Sequence, residues 1–407
     1  MKIVVINDFA SVQGGAAQVA VKSAAALALA GYDVTFVYGS GPVAEVLTSS
    51  GVKTVGLDQF DLISNPSALN SAKNGLWNRS VEVQVSSLLS QYDQNNTIVH
   101  IHSWVKVLSV SVFKVLLSRQ FSFVVTLHDY FSACPNGGFY NYKKNEVCTL
   151  RPLSAQCILS NCDSRNYVHK MWRVLRQLVY SRAEFPSAVP NFISVSKFSE
   201  AILRPYLPDN AHFWLVDNPI DVVKSHPAKP ELSKNYTYIG RLSSEKGCRI
   251  LTQLKSVNME RLQIIGSGDL EPFLKEQLPK ATFLGWCTSE QIMTALDDTR
   301  ALLFTSEWYE TQGLVVAEAA ARGVPSVVSD VTAASESVHD GATGMLFRSG
   351  SAASLDDVLL KLSDDELVEK LGRGSFSKFW SDPPTMDKHV AELISCYSSI
   401  LCRRVSR

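Results

Sequence analysis

The stretch that decides the fold is LLFTSEWYETQGLVVAEAAARGVP, residues Leu302–Pro325. The apolar run Ala301–Phe304 predicts a buried strand, and Ser306–Gln312 predicts a polar turn. The small residues of Gly313–Ala321 predict a helix, which Gly323 and Pro325 end. A helix N-terminus that follows a strand offers free N–H groups and the positive end of a dipole. This junction therefore suits a phosphate group.

Two carboxylates flank the same junction. Glu310 precedes the predicted helix and Glu318 lies inside it, with seven residues between them. Neither stands where a helix needs a charge for its own stability. Two interpretations stay open on spacing alone: a capped helix with two solvated acids, or a ligand site with two placed carboxylates.

Composition sets the broad class. The chain has 407 residues, enough for two domains, and its 46% hydrophobic and 19% charged content is ordinary for a globular protein. A formal net charge of zero disfavours a general nucleic-acid binder. No apolar run approaches the ~18 residues of a membrane span. The N-terminus MKIVVINDF lacks the features of a signal peptide. We therefore expect cytoplasmic residence, where eight cysteines are not a disulfide framework.

The opening of the chain predicts an α/β fold. Lys2–Ile6 is a predicted strand, Gly14 and Gly15 open an alanine-rich helix, and Asp33–Val37 is the next strand. This β-loop-α-β unit is typical of a doubly wound sheet. The loop is not G-x-G-x-x-G, so the dinucleotide fingerprint is absent. The two glycines allow close packing of helix on strand.

Two histidines follow predicted strands in the first half. His102 comes directly after Thr97–Ile101, and His128 comes directly after Phe123–Leu127. Ligands of open α/β sheets bind beyond the carboxyl ends of the strands, so both histidines are candidates for a binding cleft. A purely structural role is the alternative for each.

The second half places cations and glycines at predicted strand ends. Arg241 and Lys246 follow one strand and share a strand–helix junction. The guanidinium fork of arginine and the point charge of lysine both suit a diphosphate. Gly266 and Gly268 follow the next strand, and Trp286 follows the one after it. A solvated surface is the alternative for the charges, and a lone Gly-x-Gly is weak by itself.

These motifs together resemble those of the retaining GT-B glycosyltransferases of family four, also called glycosyl transferases group 1. The pattern is Glu310-x7-Glu318 with Gly313 inside it, Ala-Arg-Gly-Val-Pro after it, and Gly-Arg-Leu…Lys-Gly before it. The resemblance implies two Rossmann-like α/β domains with parallel sheets facing across a cleft. The implied boundaries are an acceptor-binding domain at 1–221, a linker at 222–235, a nucleotide-sugar domain at 236–385 and a returning helix at 386–407.

The resemblance also implies roles for individual residues. Glu310 would orient the donor sugar, Glu318 would hold the ribose, and the cations with the helix amides would neutralise the diphosphate without a catalytic metal. The implied catalytic residues are His128, Arg241, Lys246 and Glu310. The implied donor-binding residues are Gly15, Gly266, Gly268, Trp286, Gly313, Leu314, Val315 and Glu318. His102 would line the acceptor side.

The implied reaction is sugar transfer, with retention, from a UDP- or GDP-sugar to a glycan or lipid-linked acceptor. The expected setting is surface polysaccharide or glycoconjugate synthesis in the cytoplasm or at the inner membrane face, with no nucleic-acid partner. Two alternatives stay open. A sugar-nucleotide epimerase of the same fold would convert the donor with no acceptor present, and a nucleotide-sugar sensor would bind donor without turnover.

A cysteine-rich insertion at 134–162 interrupts the sheet pattern and departs from the resemblance. It holds Cys134, Cys148, Cys157 and Cys162 among few aliphatic residues. A structural Zn²⁺ bound by four thiolates would order such a loop. The spacing is not the paired C-x2-C of common zinc modules, so free thiols or an oxidisable pair are the alternatives.

A helix predicted at Asn166–Arg182 follows the insertion. Apolar residues at helical spacing give it a broad apolar surface, and Lys170, Arg173 and Arg176 are predicted to share a basic side. Packing on the sheet is the first interpretation. The alternative is a peripheral membrane helix whose basic residues lie at lipid headgroups, which would suit a lipid-linked acceptor.

Overall fold

The computed structural model describes residues 1–62 and 64–405, and the chain divides into two compact units. The first unit comprises Met1–Gly137, Leu150–Pro219 and the chain from Pro384 onward. The second unit comprises Gly138–Thr149 and Ile220–Pro383. Each unit contains a parallel sheet with helices, so the predicted α/β class with two parallel sheets is confirmed.

The strands of the described residues are short and are numbered here in chain order. They are β1 (Lys2–Phe9), β2 (Asp33–Ser40), β3 (Lys53–Gly56), β4 (Thr97–Ile101), β5 (Ser122–Leu127), β6 (Tyr140–Asn141), β7 (Glu146–Val147), β8 (Asn191–Ser194), β9 (His212–Leu215), β10 (Tyr236–Ile239), β11 (Leu262–Ile265), β12 (Thr282–Gly285), β13 (Ala301–Phe304), β14 (Ser326–Ser329) and β15 (Gly344–Phe347).

The α-helices of the same residues are numbered in the same way. They are α1 (Gly15–Leu29), α2 (Glu45–Ser49), α3 (Ala68–Leu76), α4 (Arg79–Leu89), α5 (Ser111–Ser118), α6 (Ala155–Leu159), α7 (Tyr167–Arg182), α8 (Lys197–Leu203), α9 (Glu271–Gln277), α10 (Ser289–Asp297), α11 (Leu314–Ala321), α12 (Ala352–Lys361), α13 (Asp365–Ser381) and α14 (Met386–Val405).

The sheet of the first unit runs β3-β2-β1-β4-β5-β8-β9, and all its neighbouring strands are parallel. Its central strands read as continuous apolar runs because both faces are covered. Helix α1 packs on one face together with α14, whose Leu393 and Ile400 join the core around Ile3 and Val5. Helix α14 is also tied by the Tyr397 hydroxyl, 2.6 Å from Nδ1 of His100.

The sheet of the second unit runs β12-β11-β10-β13-β14-β15, again parallel throughout. Strand β13 shows how the layers form. Ala301 and Leu303 enter one hydrophobic cluster, and Leu302 and Phe304 enter the other. Successive side chains of a strand point to opposite faces, so the apolar run is buried on both sides.

The hairpin of β6 and β7 clusters with the second unit, whereas the sequence placed the whole insertion in the first domain. A Cβ added at Gly138 would lie 3.1 Å from the Trp308 ring, and the Phe139 and Tyr309 ring centroids are 6.3 Å apart. These aromatic contacts, made far apart in sequence, draw the segment to the second unit.

The predicted linker is also fixed within the second unit. The Ala228 N–H donates to the Arg322 carbonyl at 2.8 Å. The buried Arg300 guanidinium donates to the carbonyls of Glu231 and Ser233. A buried cation must find acceptors, and here backbone carbonyls of the linker provide them. Among the helices of the described residues, none has the length and apolar character needed to cross a membrane.

Candidate functional site

The centre of the second unit's candidate site is an ion pair between Lys246 and Glu310. Lys246 Nζ contacts Oε1 of Glu310, and both side chains are only 17% exposed. The Ser306 hydroxyl donates to Oε2 of the same carboxylate at 2.7 Å. Trp308 adds a longer contact from Nε1 at 3.4 Å, and its ring centroid is 5.5 Å from Lys246 Nζ. Both oxygens of Glu310 are therefore held by named donors.

A close backbone approach brings these two side chains together. Gly247 has a φ of 65°, and a Cβ placed there would lie 1.9 Å from the Thr305 carbonyl oxygen. The Thr305 hydroxyl donates to the Lys246 carbonyl at 3.1 Å, and the Glu307 N–H donates to the Glu245 carbonyl at 2.9 Å. The loop after β10 is thus fastened to the loop after β13, and only glycine fits at the point of contact.

The predicted Gly266 and Gly268 also permit a close backbone approach, at the loop that follows β11. A Cβ at Gly266 would lie 1.9 Å from the Gly240 carbonyl oxygen, and one at Gly268 would lie 2.4 Å from that of Leu242. Leu242 N–H donates to the Ser267 carbonyl at 3.0 Å. These close contacts hold the loops that follow β10 and β11 against each other, and a side chain at either glycine would clash with the backbone.

The predicted helix begins at Leu314, one residue later than expected, with Gly313 as its N-cap. A Cβ at Gly313 would lie 2.6 Å from that of Ala334, so glycine is needed for packing here. The Ala333 N–H donates to the Glu310 carbonyl at 3.0 Å, which fixes the loop that precedes the helix. Glu318 lies half-buried on α11, one turn and a little more beyond its start.

The remaining predicted donor residues stand at the same sheet edge. Arg241 follows β10 and its side chain is exposed, and Trp286 follows β12 and is 76% exposed. The edge formed by the carboxyl ends of these strands therefore carries two cations, a helix N-terminus and two carboxylates. Such a set can hold a diphosphate and orient a hydroxylated group attached to it.

The first unit brings the two predicted histidines into contact. His102 Nδ1 lies 2.9 Å from His128 Nε2, and the rings are stacked with their centroids 5.2 Å apart. His100, which the sequence reasoning missed, lies beneath them with its ring centroid 4.0 Å from that of His102. His100 lies inside the strand β4 and not after its end, so its position in the sequence does not indicate a site residue. Within the described residues, His102 Nε2 is buried and has no hydrogen-bond partner.

Burial sets the charge of these histidines. Desolvation lowers the pKa of His128 to about 3, and it holds the pKa of His100 and His102 well below the ordinary value. All three imidazoles are neutral at physiological pH. The contact between His102 and His128 is therefore a hydrogen bond between two neutral rings, in which one N–H donates to the other ring's nitrogen.

Asp8, also missed from the sequence, supports the loop that follows His102. Its buried carboxylate accepts the N–H groups of Lys106, Val107 and Leu108 at 2.9, 2.9 and 3.1 Å. Burial raises the pKa of Asp8 against the lowering effect of these three donors. The predicted Gly15 lies nearby in the chain, exposed at the start of α1, with open space around its Cα.

The cysteine-rich insertion divides between the units. Cys134, Cys157 and Cys162 are buried in the first unit, and Cys148 belongs to the hairpin segment of the second. Lys170 is fully buried, with Nζ 3.6 Å from Cys157 Sγ, and the charges of Cys162 and Cys157 raise its pKa against desolvation. In the part of the chain that the structure describes, no three histidine, cysteine or carboxylate side chains are placed to hold a metal ion. Zinc stays a prediction.

The comparisons with known proteins concern both sequence and fold. The family profile described as glycosyl transferases group 1 matches residues 233–365. The chain is 25% identical over 193 residues to a GDP-mannose-dependent alpha-mannosyltransferase of Corynebacterium glutamicum, which covers 43% of this chain and 46% of that protein. It is 28% identical over 163 residues to a phosphatidyl-myo-inositol mannosyltransferase of Mycobacterium leprae, covering 37% and 44%. The matches span less than half of either relative.

A solved structure extends the likeness in fold to nearly the whole chain. The crystal structure of Anabaena HepE in complex with UDP superposes with a TM-score of 0.67 at 16% identity, covering 98% of this chain and 100% of that one. At this identity the likeness concerns the fold alone. It matches the two parallel α/β units described above, which is the GT-B architecture.

The contact at Gly247 gives a test of the site's framework. Gly247 and Gly285 have nearly the same φ, 65° and 67°, but only Gly247 faces a backbone oxygen, and nothing lies within 4 Å of a Cβ at Gly285. We expect Gly285→Ala to lose about 1 kcal/mol of unfolding free energy from left-handed strain. Gly247→Ala adds a backbone clash and should lose at least ~3 kcal/mol. Urea unfolding measures both, and equal losses would contradict the clash.

The zinc prediction is tested by metal analysis. If the four cysteines bind a structural zinc, the purified protein should carry about one zinc per chain. Cys157→Ser should then lower both the zinc content and the melting temperature, because a structural ligand is lost. Cys287→Ser, at a half-buried thiol of the second unit, is the matched control and should change neither. A zinc-free protein in which Cys157→Ser melts like the wild type would establish free thiols.

Proposed function

We propose, from the premise that this chain belongs to the glycosyl transferases group 1 family, that it is a retaining hexosyltransferase using a nucleotide-sugar donor. The profile match lies in the second unit and contains Arg241, Lys246, Glu310 and Glu318. One relative is named for its dependence on GDP-mannose, and the superposed HepE structure contains UDP. Both names support a UDP- or GDP-sugar as the donor of this chain.

The observation that carries the proposal is the Lys246–Glu310 pair beside the α11 N-terminus. Breaking a sugar–diphosphate bond places negative charge on the leaving diphosphate and positive character on the sugar ring. The negative charge on the diphosphate would be stabilised by Lys246, Arg241 and the N–H groups at Gly313–Val315. Glu310, already oriented by Ser306, would hold the sugar whose ring becomes positive. These protein groups supply the required charges, so the proposal includes no catalytic metal.

The pKa of His128 limits which group can accept the proton of the acceptor hydroxyl. With a pKa near 3, His128 is too weak a base to hold a proton at neutral pH. We therefore assign it a hydrogen-bonding role toward the donor sugar, with His102 fixing which of its nitrogens carries the hydrogen. The acceptor's proton would instead pass to an oxygen of the leaving diphosphate, on the face where the new bond forms, which gives retention.

The proposed setting is the synthesis of a surface polysaccharide or glycoconjugate in the cytoplasm. The acceptor is a glycan or a lipid-linked sugar, and His102 would line the acceptor side of the site. One relative is named for mannosyl transfer to phosphatidyl-myo-inositol, which supports a lipid-linked acceptor here. The neutral net charge of the chain accords with a partner other than nucleic acid.

The proposal is tested with a panel of UDP- and GDP-sugars, each with and without glycan and lipid-linked acceptors, followed by mass spectrometry and anomeric NMR of the products. We expect an α-product from an α-linked donor, formed only when acceptor is present. Lys246→Ala should lower kcat at least about a hundredfold, because one charge contact to the leaving group is lost. Lys280→Ala, in an exposed ion pair with Glu260, is the control and should act like the wild type.

Other outcomes of that panel identify the alternatives. Conversion of the donor to an epimer without acceptor would show an epimerase, and tight donor binding without any product would show a sensor. Near wild-type turnover by Lys246→Ala at saturating donor would remove Lys246 from the proposed mechanism.

The two glutamates are separated by their kinetic effects. Glu318 is assigned to the ribose, an interaction made equally in the ground and transition states, so Glu318→Ala should raise the donor KM with a small effect on kcat. Glu310 is assigned to the reacting sugar, so Glu310→Gln should lower kcat more than it raises KM. Initial rates over a range of donor concentration measure both. The reverse pattern would exchange the two roles.

A further inference from the structure

Helix α7 exposes an apolar stripe on the first unit. Val168, Met171, Leu175 and Leu178 are 77, 38, 48 and 48% exposed. Their spacing of three, four and three residues places them within an arc of about 80° on one side of the helix. We call these four side chains the α7 outer face. Isolated exposed apolar residues are ordinary, but a row of four along one helix marks a surface for contact.

The inner face of α7 receives the predicted basic side. The alternative expectation, that Lys170, Arg173 and Arg176 lie at lipid headgroups, is wrong because Lys170 and Arg176 are buried. Lys170 reaches the cysteine thiols, and Arg176 donates to the Pro135 carbonyl at 3.2 Å with its guanidinium 4.8 Å from the Phe131 ring. Because the inner face receives these cations, the apolar residues are left outside.

The exposed charges of the chain segments that flank the α7 outer face are mostly positive. From 150 to 184 the chain has six lysine and arginine residues and two acids, Asp163 and Glu184. Asp163 is buried and paired with Arg173 at 2.8 Å. Arg151, Arg165 and Arg182 are exposed, and Glu184 is the exposed acid of this stretch. Arg165 precedes the helix and Arg182 follows Leu178 by four residues, so a cation stands near each end of the stripe.

We propose that the α7 outer face docks on an anionic lipid bilayer. A helix that lies in the interface inserts an apolar face below the headgroups and keeps its cations at headgroup level, where long arginine side chains reach the phosphates. The apolar stripe and its terminal arginines fit that arrangement, and three exposed arginines against one exposed acid between 150 and 184 favour attraction to an anionic surface. The inference concerns binding and does not depend on the proposed transfer reaction.

Vesicle flotation tests the proposal with the whole protein. We expect binding to vesicles of phosphatidylglycerol and phosphatidylcholine, weaker binding to phosphatidylcholine alone, and release as salt is raised. Leu175→Asp with Leu178→Asp should weaken binding at least roughly tenfold, because charge replaces two inserting side chains. Val83→Asp on α4, at a side chain that is 54% exposed, is the matched control and should bind like the wild type.

A second variant tests the charges without touching the apolar stripe. Arg165→Glu with Arg182→Glu should weaken binding to the anionic vesicles and abolish its salt dependence, and both residues are exposed, so folding is not at risk. Wild-type binding by either double variant would overturn the proposal. So would a concentration-dependent dimer that the Leu175 and Leu178 changes dissolve, since the stripe would then be a protein interface. Transfer to a water-soluble acceptor should be unchanged in all these variants.

Discussion

The close approach of Gly247 to the Thr305 carbonyl is the constraint on which the second unit's site depends. It fastens the loop after β10 to the loop after β13 and thereby places Lys246 against Glu310. In a site that is mostly shielded from water, such a pair is strongly coupled. An incoming diphosphate would compete with Glu310 for Lys246. In the proposed reaction, occupation of the phosphate position would therefore release the carboxylate toward the sugar.

The first unit buries three charged side chains that are held by contacts other than ion pairs. Asp8 is held by three backbone N–H groups, Arg176 by aromatic rings and a carbonyl, and Lys170 by thiols. Each solution recruits residues distant in sequence and so fixes a loop. The orientation of α7 follows, because Lys170 and Arg176 must face inward. An apolar stripe at the surface is thus the consequence of cations that are satisfied inside.

The sequence was sufficient for the sheets and for the residues at their edges. Apolar runs such as Ala301–Phe304 predict buried strands, and the rule that ligands lie beyond the carboxyl ends of parallel strands located Arg241, His102 and His128. The sequence was insufficient wherever a tertiary contact determines the position of a side chain or a segment. Ser306 lies within the quoted stretch, yet its bond to Glu310 requires the loop's shape. The hairpin at 138–149 joins the second unit through Trp308 and Tyr309, 170 residues away, which no local pattern encodes.

The stacked histidines show why a residue's position does not determine its chemistry. His128 stands where a general base would be expected, at a strand end beside a polar neighbour. Burial removes that option, because the charged imidazolium is disfavoured and the pKa falls to about 3. What remains is a neutral ring whose hydrogen-bonding direction is coupled to His102 at 2.9 Å. A ring fixed in this way can position a sugar without taking its proton. In the proposed reaction, the negative charge that develops on the leaving diphosphate would then be the stronger proton acceptor.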